Sequence, residues 1–335
     1  MSVGEASQAE PARYVLSLFP AEPEPPFQAT SEQELVWGRR WGAADEVGRL
    51  GTVLLRRPGD EWEAVRGDTW VEEAEALVDP QRNWYWEART PPDVARMQAE
   101  HDGLAELLRA EGVDVVYVDD SRPELVNTVY TRDPLCVVPG GAIVGRLAPR
   151  MRRGEERYIA QTLSALGVPI LRTVAGTGLV EGGTFVKLTP TVHAFGASIR
   201  CNEEGARQVA ETLGPLGIEL VVVPMCGWSI HLDGHITMLD VDKALVDVVS
   251  LPYWFLDRLV QLGIEPIPRL AEEPWALNSL CLRPGRIVMS EGQPRTRELL
   301  ERRGVEVLTI PFSEVQKGGG GIHCSTMELV RASSR

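Results

Sequence analysis

The sequence predicts an α/β fold that is built from a repeated unit. Short runs of β-branched residues alternate with segments of helical spacing along most of the 335 residues. Five segments share a further pattern, in which a helix ends at a glycine and an apolar strand follows at once: LRAEGVDVVYV, LSALGVPILRT, LGPLGIELVVV, LVQLGIEPIPR and LERRGVEVLTI. Five such joins indicate an internally repeated α/β unit. The alternative is an ordinary doubly wound sheet, which also contains joins of this kind.

Strands are predicted where β-branched and apolar residues cluster between turn signals. In chain order they are Thr52–Leu55, Asp114–Val118, Ala142–Val144, Glu219–Val223, Ile236–Leu239, Arg286–Met289 and Val305–Ile310. Apolar residues at helical spacing predict the helices between them, which are Asp93–Glu111, Glu155–Leu166, Asn202–Leu213, Tyr253–Leu262 and Thr296–Arg303. We expect Asn202 to cap the third helix, and the glycine after each helix suits a left-handed C-terminal cap.

The length of the chain allows one large α/β unit or two ordinary domains. Residues 1–30 are rich in proline, glutamate and alanine, which predicts a flexible tail. They contain no basic segment followed by an apolar stretch, and no apolar run in the chain is long enough to span a bilayer. We therefore expect a cytoplasmic protein.

Charge and cysteine content narrow the classes of function. The chain has 48 Asp and Glu residues against 34 Lys and Arg residues, a formal net charge of -14. Such a protein repels nucleic acid and anionic membranes, whereas a small cationic substrate would be attracted. The five cysteines are widely spaced without a Cys-x-x-Cys pair, which argues against a disulfide framework and a zinc cluster. At least one cysteine is therefore available for chemistry.

Cys324 is the candidate nucleophile, because four glycines, Gly318–Gly321, lie just before it. A glycine run lets the backbone approach a bound ligand closely, since glycine has no side chain. A flexible loop or a phosphate-binding loop is the alternative, but the Lys-Ser/Thr ending of a phosphate-binding loop is absent. His323 is not the expected base for Cys324, because the side chains of neighbouring residues generally point apart.

His231 is the candidate base, in the segment HLDGHITMLD. If this segment is extended, His231 and Asp233 project to the same face and can contact one ligand together. The pattern His231-x-Asp233-x-His235 also permits a metal site. His101 and His193 stand alone in the sequence and are interpreted as ordinary core or surface residues.

Asp133 and Glu181 are two further candidate carboxylates. Asp133 precedes a proline and Glu181 opens a Glu-Gly-Gly segment, so each could simply mark a turn. Together with His231, Asp233 and Cys324, however, they form the set that guanidinium chemistry requires. Carboxylates hold the planar cation, a thiolate attacks its carbon, and a histidine supported by a carboxylate moves the protons.

Four segments, NTVYTRDP, EGG, HLDGHITMLD and GGGGIHCSTMELVR, resemble the guanidino-group-modifying enzymes in order and spacing, and arginine deiminase above all. The resemblance covers the chain from about Asp45 to Arg331. It implies a five-bladed α/β propeller with pseudo-fivefold repeats, which forms a single catalytic domain over residues 31–335. It implies neither a metal nor an organic cofactor. The chain is too short for the inserted helical bundle of arginine deiminases, so we expect none.

The resemblance also implies roles for individual residues. Cys324 becomes the nucleophile, His231 the general acid and base, and Glu181 the partner of His231. Asp133 and Asp233 become the two carboxylates that hold the guanidinium group. The implied substrate-binding residues are Asn127, Gly321, Arg200, which would bind the substrate carboxylate, and one arginine among Arg150, Arg152 and Arg153.

The expected activity is hydrolysis of arginine or a close analogue to citrulline or a similar ureido product and ammonia, through a thiouronium intermediate on Cys324. Dimethylarginine dimethylaminohydrolases generally lack an aspartate like Asp233, and amidinotransferases typically have an aspartate where Glu181 stands. Thr184 departs from the deiminase pattern, which usually has aspartate there. The alternatives are an amidinotransferase, a dimethylarginine dimethylaminohydrolase and a non-catalytic arginine-binding protein. The expected partner is a small guanidino substrate, with homo-oligomers left open.

Overall fold

The protein is described by a computed structural model over residue 11 and residues 13–19, 25–118 and 125–334. The flexible tail predicted for residues 1–30 lies partly outside these ranges, at residues 1–10, 12 and 20–24, and stays a prediction. Within them, no helix is both long and apolar enough to cross a membrane.

Eighteen strands are present in the described part of the chain. They are β1 (Leu50–Leu55), β2 (Trp70–Val71), β3 (Ala76–Val78), β4 (Tyr85–Trp86), β5 (Asp114–Tyr117), β6 (Leu135–Val138), β7 (Gly141–Val144), β8 (Ile170–Thr173), β9 (Phe185–Thr189), β10 (Val192–Ala197), β11 (Glu219–Pro224), β12 (Ile236–Asp240), β13 (Lys243–Val246), β14 (Glu265–Pro268), β15 (Leu280–Arg283), β16 (Arg286–Ser290), β17 (Glu306–Ile310) and β18 (Met327–Arg331). All seven predicted strands are among them, to within two residues at each end.

The α-helices are α1 (Thr30–Trp37), α2 (Val94–Ala110), α3 (Glu155–Leu166), α4 (Glu203–Leu213), α5 (Tyr253–Gln261), α6 (Pro294–Arg302) and α7 (Ser313–Gln316). The five predicted helices, α2 to α6, are confirmed to within two residues at each end. Asn202 caps α4 as predicted, because its side chain accepts a hydrogen bond from the backbone N–H of Gly205 at 2.9 Å.

The strands form separate three-stranded sheets, five of which share one topology in the described residues. In each of the five, the middle strand is antiparallel to one neighbour and parallel to the other. The strand orders are β6-β7-β8, β9-β10-β11, β12-β13-β14, β15-β16-β17 and β18-β1-β5. The chain is therefore a mixed α/β protein of repeated units and not a doubly wound sheet. A small antiparallel sheet, β2-β3-β4, is added before α2.

A glycine joins the helix of each unit to its third strand. These glycines are Gly112, Gly167, Gly217, Gly263 and Gly304, and their φ angles are +79°, +77°, +70°, +77° and +80°. Residues with a Cβ rarely adopt this left-handed conformation, so the repeated glycine in the sequence has a direct structural cause. The turn that follows returns the chain to lie parallel to the middle strand.

The first unit is completed by the last strand. β1 pairs with β5 in parallel and with β18 in antiparallel orientation, where Leu50 lies opposite Arg331. Residues about 280 positions apart in sequence are therefore neighbours in one sheet, as their numbering shows. The helix α2 packs over this unit and buries Met97 and Leu104 in the same apolar cluster as Val53 of β1.

A buried ion network ties the strands together. Lys187 of β9 lies 2.7 Å from Glu46 and 2.5 Å from Glu328 of β18, and Glu328 lies 2.9 Å from Arg132. All four side chains are buried. Burial alone raises the pKa of Glu328, but the cations Arg132 and Lys187 outweigh it and hold that pKa well below its usual range. The backbone N–H of Arg132 also donates to the carbonyl of Cys324 at 3.0 Å.

Candidate active site

The candidate site is assembled from the same position in all five units. Each unit contributes side chains from the short segment that precedes its first strand. The contributors are Asp133 before β6, Glu181 before β9, His231 and Asp233 before β12, Asn278 before β15 and Cys324 before β18. The five side chains that the sequence singles out for chemistry are thus brought into one place, and Asn278 joins them.

Asn278 contacts the sulfur of Cys324 directly. Its side-chain Nδ2 donates to Cys324 Sγ at 3.0 Å, and its Oδ1 accepts from the backbone N–H of Cys324 at 3.2 Å. Burial, together with the charges of Asp233 and Asp133, raises the pKa of the Cys324 thiol to about 12.

His231 lies between two carboxylates. Its Nε2 is 2.6 Å from Glu181 Oε2, and its Nδ1 is 3.5 Å from Asp133 Oδ1. Burial by itself disfavours the charged imidazolium, but Asp133 and Glu181 outweigh it and raise the pKa of His231 above its ordinary value. The predicted pairing of His231 with Glu181 is therefore present in the geometry. The two carboxylates favour the protonated form of His231.

Glu181 also holds Arg200. The Nε of Arg200 donates to Oε1 and Oε2 of Glu181 at 3.0 and 2.8 Å, and its Nη2 lies 2.6 Å from Oε2. The backbone N–H of Ala148 donates to Oε1 at 2.9 Å. Burial raises the pKa of Glu181, but His231 and Arg200 together lower it to about 2. Arg200, expected to bind a substrate carboxylate, is paired with the carboxylate of Glu181.

Asp133 is held by one oxygen and presents the other. Its Oδ2 is ion-paired with Arg152, which also binds Glu155 through Nε at 2.9 Å and Nη2 at 2.7 Å. Its Oδ1 is buried and has no hydrogen-bond partner among the described residues. Arg152 is thus the buried arginine of the three candidates, whereas Arg150 is exposed and Arg153 donates to the backbone carbonyl of Leu147 at 3.3 Å.

Asp233 is held in a comparable way by His323. The Nδ1 of His323 lies 2.8 Å from Asp233 Oδ2, and both residues are buried. Burial raises the pKa of Asp233, but hydrogen bonding and charge from His323 outweigh it and lower that pKa. His323 therefore faces Asp233, which agrees with the expectation that it does not act as the base of Cys324.

Two cavities meet at Cys324 and His231. The small chamber, of about 90 Å³, is lined by Asn127, Asp133, Arg152, Arg200 and Gly318–Gly320 in addition to those two residues. The open cleft, of about 790 Å³, is lined by Asp233, Asn278, Trp228 and Trp275 together with the same two residues. Asp133 therefore lines the small chamber and Asp233 the open cleft, and Cys324 lines both. Arg150 and Gly321 line neither cavity.

The glycine run is explained by close packing. A Cβ on Gly319 would lie 2.0 Å from the hydroxyl of Tyr85, and one on Gly320 would lie 2.6 Å from the ring of Tyr130. On Gly321 it would lie 2.8 Å from Asn278 Oδ1. Each distance is shorter than real Cβ contacts allow, so the run is required to bring Cys324 between these side chains.

One group of side chains has the spacing of a metal site. Asp133, Glu181 and His231 offer ligand atoms within 4.8 Å of one another. Arg152 already balances the charge of Asp133, and Arg200 that of Glu181, so this group has the internal charge balance of an acid–base site. In the His231-x-Asp233-x-His235 pattern, His235 contacts a different carboxylate. Its Nδ1 lies 3.4 Å from Asp247 Oδ2.

Comparison with known proteins decides the family. The family model for arginine deiminase matches residues 122–250 and 258–331, which is more than half of the chain. The chain belongs to the arginine deiminase family. The match includes every segment that supplies a side chain to the site. Membership makes the chain a hydrolase of the arginine deiminase type, which is the enzyme class that the sequence predicts.

Individual family relatives are distant. A dimethylarginine dimethylaminohydrolase from Pseudomonas aeruginosa is 29% identical over 242 residues, which cover 71% of this chain and 90% of that protein. An arginine deiminase from Oenococcus oeni is 23% identical over an alignment of 410 positions, gaps included. The alignment covers 85% of this chain and 96% of that protein.

Solved structures show the same fold. The Pseudomonas aeruginosa dimethylarginine dimethylaminohydrolase with citrulline has a TM-score of 0.67 at 24% identity, covering 83% of this chain and 99% of that one. A saxitoxin-pathway amidinotransferase from Microseira wollei has a TM-score of 0.68 at 18% identity, covering 88% and 98%. This mixed α/β fold is therefore shared between hydrolases and transferases of the superfamily.

Proposed function

We propose that the chain is an amidinohydrolase that converts arginine, or a close analogue, to citrulline or the corresponding ureido product and ammonia. The observation that carries the proposal is that Cys324 and His231 line one cavity together with Asp133 and an adjoining one together with Asp233, while His231 is paired with Glu181. A planar guanidinium group can span the two carboxylates with its carbon at the sulfur. Such an arrangement provides both recognition of the cation and a nucleophile.

Binding of the substrate would also ionise the nucleophile. Burial raises the pKa of Cys324, and the charges of Asp233 and Asp133 raise it further. A guanidinium cation between them neutralises this effect and brings a positive charge to the sulfur. The thiolate then forms mainly when substrate is present, which limits side reactions of the free enzyme.

The reaction proceeds in two halves through a covalent intermediate. The Cys324 thiolate attacks the guanidinium carbon, a C–S bond forms, and protonated His231 gives a proton to one nitrogen, which leaves as ammonia when its C–N bond breaks. Water then adds to the resulting thiouronium carbon while neutral His231 takes a proton from it. The C–S bond breaks, the hydroxyl group of the adduct gives its remaining proton to solvent, the ureido product forms, and the thiolate is regenerated. Glu181 supports the imidazolium in both halves.

The small chamber supports an amino-acid substrate. Arg200 and Asn127 line it, and the Oδ1 atom of Asn127 is buried without a hydrogen-bond partner among the described residues. A substrate carboxylate that enters this chamber would compete with Glu181 for Arg200, whose side chain is partly exposed. We propose that Arg200 and Asn127 bind the end of the substrate remote from the guanidinium group.

We further propose that the five units are the blades of a five-bladed α/β propeller that forms one catalytic domain over residues 31–335. Two features support this arrangement. Five sheets have the same strand order, and each unit sends its site residues from the segment before its first strand. Repeated units that surround a common axis would bring these five segments together at one end.

An amidinotransferase is the second candidate, and the open cleft favours it. This cleft reaches Cys324 on the side of Asp233 and has a volume of about 790 Å³, which would admit an amine instead of water. The same residues would then form the intermediate, and the amine would take the amidino group from the sulfur.

Product analysis separates the two candidates. The purified protein is incubated with arginine, alone and with glycine or lysine, beside Cys324→Ala, and products are followed by mass spectrometry. Citrulline and ammonia from arginine alone, absent in the variant, support the hydrolase. Ornithine and an amidinated amine, formed only with the acceptor, would replace it with the transferase.

A further inference from the structure

Asn278 occupies a position in the fold that supplies chemistry in every other unit. Asp133 precedes β6 by two residues, Asp233 precedes β12 by three, and Cys324 precedes β18 by three. Asn278 precedes β15 by two residues and belongs to the remaining unit. Its location therefore matches, to within one residue, the position that Asp133, Asp233 and Cys324 occupy in three other units, whereas the remaining unit supplies Glu181 from four residues before β9.

The contacts of Asn278 converge on the nucleophile turn. Its backbone carbonyl accepts from the N–H of His323 at 3.3 Å, its Oδ1 accepts from the N–H of Cys324 at 3.2 Å, and its Nδ2 donates to Cys324 Sγ at 3.0 Å. The orientation of the amide is determined by the turn itself. If the amide were flipped, its NH₂ group would face the backbone N–H of Cys324, donor against donor.

We propose that Asn278 is a catalytic residue, which stabilises the Cys324 thiolate by a hydrogen bond and directs the sulfur to the junction of the small chamber and the open cleft. This inference rests on the proposed role of Cys324 as nucleophile.

The electrostatic setting creates a need for such a donor. Burial raises the pKa of the Cys324 thiol, and the charges of Asp233 and Asp133 raise it as well. The amide of Asn278 acts in the other direction and lowers the pKa of Cys324 without adding a charge. A neutral donor suits this position, because a lysine or arginine at the sulfur would repel the guanidinium substrate.

The same hydrogen bond serves the second half of the reaction. When the thiouronium is hydrolysed, the sulfur leaves as a thiolate and regains its negative charge. A donor already at 3.0 Å stabilises this charge as it develops. Loss of Asn278 is therefore expected to slow release of the intermediate as well as its formation.

Gly321 provides independent support, because its lack of a side chain allows the approach of Asn278. A Cβ at Gly321 would lie 2.8 Å from Asn278 Oδ1 and 3.0 Å from the Cγ carbon of the same amide. One glycine of the run thus leaves room for this amide.

The test measures the reactivity of the thiol and needs no substrate. Iodoacetamide labelling of Cys324 is followed by peptide mass spectrometry at several fixed pH values below the pKa of the thiol. In that range the labelling rate follows the fraction of Cys324 present as thiolate. Asn278→Asp keeps the size and the Oδ1 acceptor but replaces the donor with a negative charge, and Asn278→Ala removes the side chain. Exposed Cys226 serves as an internal reference in every sample.

Both variants are expected to slow labelling of Cys324 at fixed pH by tenfold or more, since a hydrogen bond to a charged group corresponds to about one to two pKa units. Asn202→Asp is the matched control. It introduces the same charge at the N-terminus of α4, where aspartate caps a helix equally well, and should leave Cys324 labelling unchanged.

Rates for Cys324 within twofold of wild type in a folded Asn278→Ala protein, as judged by circular dichroism, would overturn the proposal. If Asn278→Asp does not fold, Asn278→Ala decides the question alone. On arginine, the variants should lower kcat more than they change KM and should accumulate the covalent adduct in intact-mass spectra. If the wild-type protein does not turn over arginine or its analogues but the Asn278 variants are labelled more slowly, the proposed function fails. The hydrogen bond from Asn278 to the Cys324 thiolate is then still supported.

Discussion

The Nε2 atom of His231 lies 2.6 Å from Oε2 of Glu181, so the proton on this nitrogen is shared between a histidine and a buried carboxylate. The same carboxylate is bound by Arg200. The acid–base group and a predicted substrate-binding group therefore meet on one side chain, and substitution of Glu181 affects both.

Glu181→Gln is expected to lower kcat by about 100-fold, because the amide has the same shape but no charge to support the imidazolium. The raised pKa of His231 should fall, so the part of the pH–rate profile that requires protonated His231 moves to lower pH. The profile of kcat against pH measures this shift. An unchanged profile in an active variant would contradict the assignment of His231.

The stability of the protein should depend on Glu181 at acidic pH. Its pKa is lowered to about 2 in the folded state, from an ordinary value of 4.5. The stabilisation from its charge is therefore present above about pH 4.5 and is lost as the pH falls toward 2. Urea unfolding between pH 2 and 5 should show a shallower pH dependence for Glu181→Gln than for the wild type.

Gly183→Ala is expected to reduce activity by about 100-fold while the protein stays folded. The added Cβ would lie 2.8 Å from His231 Nδ1 and 2.9 Å from Asp133 Oδ1, so it displaces both. Gly103→Ala is the matched control, since nothing lies within 4 Å of a Cβ there and the residue is inside α2. The control should keep full activity and gain about 0.5–1 kcal/mol of stability.

Asp233→Asn should have opposite effects on thiol reactivity and on turnover. The charge of Asp233 raises the pKa of Cys324, so its removal lowers that pKa and increases the thiolate fraction at a given pH. Labelling of Cys324 by iodoacetamide should become several-fold faster, whereas kcat/KM for arginine should fall because one guanidinium contact is lost. Labelling of Cys324 at the wild-type rate would show that the charge of Asp233 does not affect the sulfur.

Lys187→Met is expected to destabilise the protein by about 3–5 kcal/mol, because it leaves Glu46 and Glu328 buried without their shared cation. Urea denaturation measures the loss. Arg258→Ala, which breaks the surface pair with Glu219, is the comparison and should change the midpoint far less. Equal effects of the two substitutions would mean that the network adds nothing to stability.

Much of the fold is readable from the sequence because its signals are local. The glycines after the helices predict left-handed caps, and all five have φ angles between +70° and +80°. The antiparallel pairing of β18 with β1 carries no such signal, since the two strands are far apart in sequence. The separate sheets likewise follow from pairings that no local pattern specifies.

The sequence identifies residues of the candidate site only where their side chains are of a reactive type. Cys324, His231, Glu181, Asp133 and Asp233 are visible as types suited to chemistry, and the structure brings them together. Asn278 is missed because an asparagine in the segment NSL has no reactive group and its partner is 46 residues away. Its one signal is its place before β15, which becomes visible once the units are aligned.

Ion pairs across loops escape sequence reasoning for the same reason. Arg200 is expected on a substrate carboxylate, yet it binds Glu181, a contact that only the folded chain reveals. Among the neighbouring arginines, Arg152 is buried because Glu155, three residues later in the chain, meets it at the start of α3. Arg150 lies at the surface.

The pairing of β18 with β1 has a consequence for synthesis on the ribosome. Translation delivers β1 long before its antiparallel neighbour β18 and the turn that carries Cys324. A nascent chain that ends before β18 exposes the edge of β1 that β18 covers, and one that ends before residue 324 lacks the thiol as well. The candidate nucleophile and the strand that completes the first sheet are therefore made within a few residues of each other, and until then the unpaired edge of β1 is open to pairing with other chains.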